Sequence, residues 1–385
     1  MKTIITNATV LTPDKILKNA TITIQNELIE EVTQNQPILD ADATVIDAQG
    51  MYVAPGLIDI HFHGALGKDV MDADPQSLLV MAQFCLEHGV TSFYPTTWSA
   101  TPNDIFAAIG IVKEYQHLTS GAQIPGIHIE GPYINLEYRG AQLSSMIRTP
   151  DRQEFQRWFD SGIVKLVTCA PEIPGGFDFI RDAVANDIRI SIGHTHAKYE
   201  DVVKAADLGA TQATHLFNGM SGLHHREPGV VGGVLTDKRI IPQLICDGVH
   251  LHPSIIDLVV NAKTPSRVIL ITDSIRGTGL PDGAYDNKGQ KFVVVDGVAR
   301  TPEGGLSGST LTLDQAVRNT MKFTHRPITE ILPMATSIPA AAMGLEGRKG
   351  IIKPGADADL VFLNSDFLVE RTFVQGKCLY KSSST

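Results

Sequence analysis

Two histidines one residue apart, His61 and His63, close the apolar run Gly56-Leu57-Ile58-Asp59-Ile60 and are followed by Gly64. In a β-strand residues i and i+2 share a face, so both imidazoles project together from one strand end. Two neutral imidazoles on one face can ligate a divalent metal. Taken alone, the pair is more simply two core histidines satisfied by hydrogen bonds, because so short a motif recurs by chance. The rest of the chain changes that reading. His128-Ile129-Glu130, Gly193-His194-Thr195-His196, Thr214-His215, Asp247-Gly248-Val249-His250 and Thr272-Asp273 each end a further apolar run. Histidines and carboxylates repeated at equivalent strand ends are the donor set of a catalytic metal centre, whose chemistry is activation of water and polarisation of an acyl oxygen.

Bringing such ends together requires parallel strands. Strand-like runs fall at 56–61, 91–95, 126–130, 164–169, 189–193, 212–216, 242–246 and 268–272, eight in all. Helix-like segments lie between most of them. Asp74-Pro75 opens one that closes at His88-Gly89, and Thr101-Pro102 opens the next, with proline at the first helical position and glycine past the end. Residues 178–186, 198–208, 253–261 and 312–324 read likewise, and the glycine-rich 229–237 carries the weakest helical signal. The alternation predicts an α/β fold, a (β/α)8 TIM-type barrel over residues 54–349 with its active site at the strands' carboxyl ends. A hairpin centred on 291–299 is inserted around 277–308, over the barrel mouth. β-branched runs at residues 1–53 and again at 350–385 predict a small β-sandwich domain built from both chain termini.

The formal net charge of −10 over 385 residues argues against a nucleic-acid partner, and an anionic substrate would need a local basic pocket. Cys85, Cys169, Cys246 and Cys378 are scattered, which suggests buried reduced thiols rather than disulfides or a cysteine metal site. The amino terminus turns polar too early for a signal peptide and no apolar run is long enough for a bilayer, so a cytoplasmic location without membrane partners is expected. The polar tail at 381–385 is expected to fray.

The ordered motifs PGLIDIHFHG, HIEGP, GHTHA, THLFNGM, HHREPG, DGVH and TDS resemble the amidohydrolase superfamily. HIEGP, HLFNGM and HHREPG together are more specifically similar to the N-acetylglucosamine-6-phosphate deacetylases, along nearly the whole chain. The resemblance implies a metal-dependent hydrolase that releases acetate from N-acetyl-D-glucosamine 6-phosphate. It assigns Glu130, His194 and His215 as metal ligands, with His61 and His63 retained for a second ion and Glu130 bridging. One or two ions per subunit follow, and zinc, iron, manganese or cobalt all suit these donors. Asp273 matches the general base and acid, taking a proton from metal-activated water and passing it to the leaving amine. Arg226 and His250 match the phosphate clamp, with His224 or His225 as further donors. Ala141, Gln142, Asn218, Gly219 and Leu306 match sugar contacts, although some relatives carry histidine at position 142. A homodimer in which the 221–229 loop reaches the partner's pocket is also implied.

Other histidines have simpler expectations: His128 and His196 as supports of the ligands, His88 as a helix terminus and His252 as a helix cap. Two alternative functions stay open. A cyclic amidase or deaminase on this scaffold would have no use for the Arg226–His250 anion clamp. A non-catalytic barrel homologue would show gaps at ligand or base positions, and none is present.

Overall fold

The computed structural model describes residues 2–12, 15–35, 42–117 and 120–383. Leu57–Phe62, Val90–Thr97, Ile127–Glu130, Val164–Cys169, Arg189–Ile192, Gln212–Ala213, Ile241–Ile245 and Ile269–Ile271 pair in parallel in chain order. The ring closes where Asp273 N donates to His61 O (3.0 Å) and His63 N to Ser274 O (2.9 Å). The first three strands are buried throughout, the pattern of a parallel sheet covered on both faces. The helices Pro75–Glu87, Pro102–Tyr115, Arg152–Ser161, Gly176–Ala185, Tyr199–Asp207, Gly229–Thr236, Pro253–Lys263 and Leu313–Thr324 follow the strands in turn.

Local chemistry explains the helix starts. Asp74, Thr101 and His252 each accept a hydrogen bond from a first-turn backbone N–H, and each precedes a proline at the first helical position. Such caps contribute about 1 kcal/mol each. The weakly signalled Gly229–Thr236 is helical as well.

The sixth strand is shorter than its apolar run suggests. It ends at Ala213 because the backbone turns left-handed at His215 (φ 30°) and Phe217 (φ 78°). The insertion is a three-stranded antiparallel sheet, Gly283–Asn287, Gln290–Val295 and Val298–Arg300, rather than a hairpin. A helical stretch over 328–342, absent from the sequence reading, follows the eighth helix.

Lys2–Leu11, Ile16–Gln25, Leu28–Thr33, Thr44–Asp47 and Tyr52–Pro55 join Leu360–Leu363, Val369–Val374 and Lys377–Lys381 in a second sheet. Tyr52–Pro55 pairs with Leu360–Leu363, which ties the two ends of the chain together. The sheet folds onto itself where Ile29 N donates to Ala356 O (2.9 Å) and Ala358 N to Glu27 O (2.7 Å). The sandwich's two faces are therefore halves of one sheet, closed over a core that includes Ile5, Ile22, Val53 and Phe362. Lys381 ends a strand instead of fraying, while Ser384 and Thr385 lie outside the described residues. Cys85, Cys169 and Cys246 are buried free thiols as expected, but Cys378 is exposed. It sits on the terminal strand Lys377–Lys381, whose residues face largely outward.

Candidate metal centre

His61 lies in the first barrel strand with His63 just beyond it, and Glu130 ends the third strand. His194, His215 and Asp273 follow the fifth, sixth and eighth strands with φ of 48°, 30° and 53°. This left-handed conformation is uncommon outside glycine, carries strain and clusters at functional sites. It takes each residue out of the strand ladder and gathers the three side chains with those of the first and third strands.

Glu130 Oε1 lies 3.2 Å from His194 Nε2, 3.1 Å from His215 Nε2 and 3.5 Å from His61 Nε2. Its Oε2 lies 3.5 Å from His63 Nε2. Asp273 Oδ1 is 3.4 Å from His61 Nε2 and 3.1 Å from His63 Nε2. Two buried groups result, His61/His63/Asp273 and Glu130/His194/His215, with the donor atoms of each group within 4.8 Å of one another. Glu130 touches both.

The donor chemistry fits a cation. His63 Nδ1 contacts Thr96 O (2.9 Å), His194 Nδ1 contacts Tyr138 O (2.8 Å) and His215 Nδ1 contacts Asn218 O (3.1 Å). A carbonyl only accepts, so these Nδ1 atoms carry the protons and the Nε2 lone pairs face inward. Yet His194 Nε2 and His215 Nε2 are 3.2 Å apart. Facing lone pairs at that separation repel unless positive charge lies between them. Burial would raise Glu130, but His61, His194 and His215 hold it well below the usual carboxylate range. Burial would likewise raise Asp273, and His61 and His63 hold it low. Burial would lower His63, but its bond to Asp273 and the charges of Glu130, Asp273 and Asp69 raise it to about 9. Two ionised carboxylates thus demand positive charge, which a divalent ion supplies while leaving the imidazoles neutral.

His63, Glu130, His194, His215 and Asp273 open onto a cavity of about 770 Å³, which Ala141, Gln142, Asn218, Gly219, His250 and Leu306 also line, while His61 is buried behind them. Gly219 (φ 57°) lies against His194, where a Cβ would come 2.8 Å from Nδ1, so only glycine fits. His250 Nδ1 bonds Asp247 Oδ2 (2.6 Å), which fixes its ring at the rim. Among the expected phosphate-binding residues, Arg226 lies apart from the cavity. It is exposed, contacts His225 Nε2 (2.7 Å) and is absent from the cavity lining.

The sequence profile of the amidohydrolase family matches residues 52–379. The chain belongs to the amidohydrolase family. It is 36% identical to the N-acetylglucosamine-6-phosphate deacetylase of Bacillus subtilis, over 98% of this chain and 97% of the relative. It is 38% identical to the N-acetylgalactosamine-6-phosphate deacetylase of Escherichia coli O157:H7, over 87% of this chain and 89% of the relative. Its fold matches the N-acetyl-D-glucosamine-6-phosphate deacetylase of Mycobacterium smegmatis, an aspartate-to-alanine variant solved with N-acetyl-D-glucosamine 6-phosphate. The TM-score is 0.91 at 31% identity, covering 99% of this chain and 100% of the other.

In this amidohydrolase further groups support the centre. Gln142 is buried, with Oε1 accepting from Ser99 N (2.8 Å) and Nε2 donating to Glu130 Oε2 (3.0 Å). One of its amide N–H groups thus holds Glu130, while the residue also lines the cavity. Gln290 of the inserted sheet donates to the carbonyl of Ala141. Trp98 stacks on His63 with ring centroids 4.2 Å apart. His128, held far below its usual range mainly by burial and His61, bonds Thr168 Oγ1 (2.8 Å) and supports the cluster from beneath. His196 is exposed and stacks on Tyr138 at 4.9 Å, outside both donor groups. His88 ends its helix and pairs with Asp314. Arg139 and Glu303 also line the cavity, and as charged residues in polar loops they carry no positional signal in the sequence.

Proposed function

We propose that this amidohydrolase removes the acetyl group from N-acetyl-D-glucosamine 6-phosphate, giving D-glucosamine 6-phosphate and acetate in amino-sugar breakdown and recycling. The observation that carries the reading is a Glu130-bridged pair of donor groups opening, beside Asp273, onto a cavity sized for a phosphosugar. A zinc, iron, manganese or cobalt ion held by Glu130, His194 and His215, with a second at His61 and His63, would supply Lewis acidity toward the amide carbonyl and water.

The chain's own groups do the rest. Asp273 is held ionised, the state a base requires. It takes one proton from the attacking water as the water oxygen bonds the acyl carbon. It returns that proton to the amine nitrogen as the C–N bond breaks, so the acyl carbon leaves as acetic acid, which gives up its remaining proton to become acetate. His250 meets the phosphate at the rim. Arg226, exposed on its loop, supplies the bidentate cation to a neighbouring copy's pocket in a homodimer. Asn218, Gly219, Ala141 and Leu306 hold the sugar, and Gln142 contributes chiefly by orienting Glu130. The same reading places the enzyme in the cytoplasm, without nucleic-acid or membrane partners. It divides the chain into a β domain of residues 1–53 and 350–385 and a catalytic barrel of 54–349.

The relative that acts on the galactosamine epimer supports a second substrate, differing at one sugar hydroxyl. The test is acetate release from N-acetylglucosamine 6-phosphate, its C4 epimer and the unphosphorylated sugar. Preference for the glucosamine phosphate supports the proposal, preference for the epimer replaces it, and equal use of the unphosphorylated sugar removes the phosphate clamp.

A further inference from the structure

Trp98 stands between two cavities. On one side it lines the cavity of the metal centre. On the other lies a side cavity of about 100 Å³ with mixed walls, Met71, Ala100 and Met146 beside Asp104, Asn287 and Gln290. Leu143 lines both cavities too, so Trp98 and Leu143 together form the partition.

Trp98 is held on its face and its edge. Its ring stacks on His63 at 4.2 Å with planes 21° apart. Its indole N–H donates to Asp69 Oδ2 (3.0 Å), which also accepts from Asn287 Nδ2 of the inserted sheet (2.9 Å). Asp69 Oδ1 accepts from Met71 N (2.8 Å), and the whole Asp69 side chain is inaccessible to solvent. A swing of the indole would leave a buried carboxylate short of a donor, which is costly. Through Asn287 the inserted sheet therefore helps to fix the partition.

The partition lies where the acyl group must go. Trp98 follows the second barrel strand, whereas His250 follows the seventh. A phosphosugar anchored at His250 extends its amide across the mouth, and its acyl carbon has to reach the His63–Asp273 pair. The chain beyond that carbon then meets the Trp98 ring stacked against His63. We infer that Trp98, with Leu143, sets the length of the acyl chain, closing off the side cavity so that acetyl fits and longer N-acyl groups do not. This inference rests on the deacetylase reading above.

The experiment is a comparison of kcat/KM for the N-acetyl, N-propionyl and N-butyryl derivatives of glucosamine 6-phosphate, with the metal-loaded wild type, Trp98→Ala and Leu143→Ala. The ratio of propionyl or butyryl to acetyl within one protein is the readout, because loss of metal or of folded protein cancels in it. Exclusion of one methylene is worth roughly 10- to 200-fold. The ratio should therefore rise about tenfold or more in Trp98→Ala and rise in Leu143→Ala, which leaves the stacking on His63 in place. Should Trp98→Ala fail to fold, the ratio in Leu143→Ala decides. Wild type that uses propionyl as well as acetyl, or ratios unmoved in the folded variants, would overturn the inference and leave the deacetylase reading intact. No acetate release by the metal-loaded wild type would overturn both.

Discussion

Replacing Gln142 with leucine separates support of the metal from contact with the sugar. The Gln142 amide joins Ser99 N (2.8 Å) to Glu130 Oε2 (3.0 Å) in a buried position. Leucine approximates its volume and makes neither bond. Glu130 then keeps its imidazole neighbours but loses the donor that holds its second oxygen, the one facing His63. Loss of a residue that orients a metal-binding carboxylate typically costs about 10- to 100-fold in metal affinity, or about 1.4 to 2.8 kcal/mol. The stranded Ser99 N–H adds about 1 to 3 kcal/mol of lost stability, with or without metal. The assay is calorimetric titration of metal-free wild type and Gln142→Leu with zinc, beside urea unfolding of both metal-free proteins. The expected result is weaker metal binding of that size together with lower stability. Wild-type metal affinity with a raised KM for the sugar would refute the reasoning and return Gln142 to the substrate contact suggested by its sequence position.

Asp273→Ala should lower kcat for acetate release by about 10²- to 10⁴-fold while metal analysis still finds an ion at Glu130, His194 and His215; retained turnover would exclude Asp273 as the proton carrier. Arg226→Ala should raise KM for the phosphorylated sugar about 10- to 100-fold, the value of a charge-assisted bond, and leave the unphosphorylated sugar unaffected, as steady-state kinetics with both would show. Burial would raise Asp314, but its bond to His88 and the charges of His88 and Arg318 lower it to about 2. A depressed carboxylate stabilises the fold above its unfolded pKa of about 3.9 and loses that contribution as pH falls through the folded value, here about 2.5 kcal/mol between roughly pH 4 and 2. Urea unfolding should accordingly show Asp314→Asn less stable than wild type at pH 6, with the gap narrowing below pH 4.

How legible the molecule is depends on whether a residue's type betrays its place. His61 and His63 are readable because i, i+2 spacing on an apolar strand fixes their common face. Glu130, His194, His215 and Asp273 stand out because residue types able to bind metal close successive apolar runs, and the family motifs single them out from His128, His196 and His250 at the same strand ends. The hairpin around Asp296-Gly297 is readable because both residues take positive φ (51° and 71°) in a two-residue turn, and Asp-Gly is a usual pair there. The neighbouring Lys288-Gly289 turn has the same backbone signs (50° and 95°). Lysine is not a usual residue in that place, however, and Gly283–Asn287 contains few strand formers. Pairing with Gln290–Val295 overrides its propensity. Residues 328–342 are punctuated by Pro333 and Pro339, which masks their helical pattern. Trp98, Asp69 and Asn287 escape notice for another reason. Each is an ordinary residue, and only the folded chain brings Asn287 to the carboxylate that holds Trp98. Arg226 is conspicuous in sequence, but its loop leaves it exposed and outside its own subunit's cavity.

The central claim is that the strand-end cluster holds the metal on which amide hydrolysis depends. The most direct test measures bound metal and acetate release from N-acetylglucosamine 6-phosphate on the same sample, before chelation, after it, and after metal is restored. The account predicts one or two ions per chain, acetate release lost together with them, and recovery on their return. Full acetate release from a chain shown to be metal-free would contradict it.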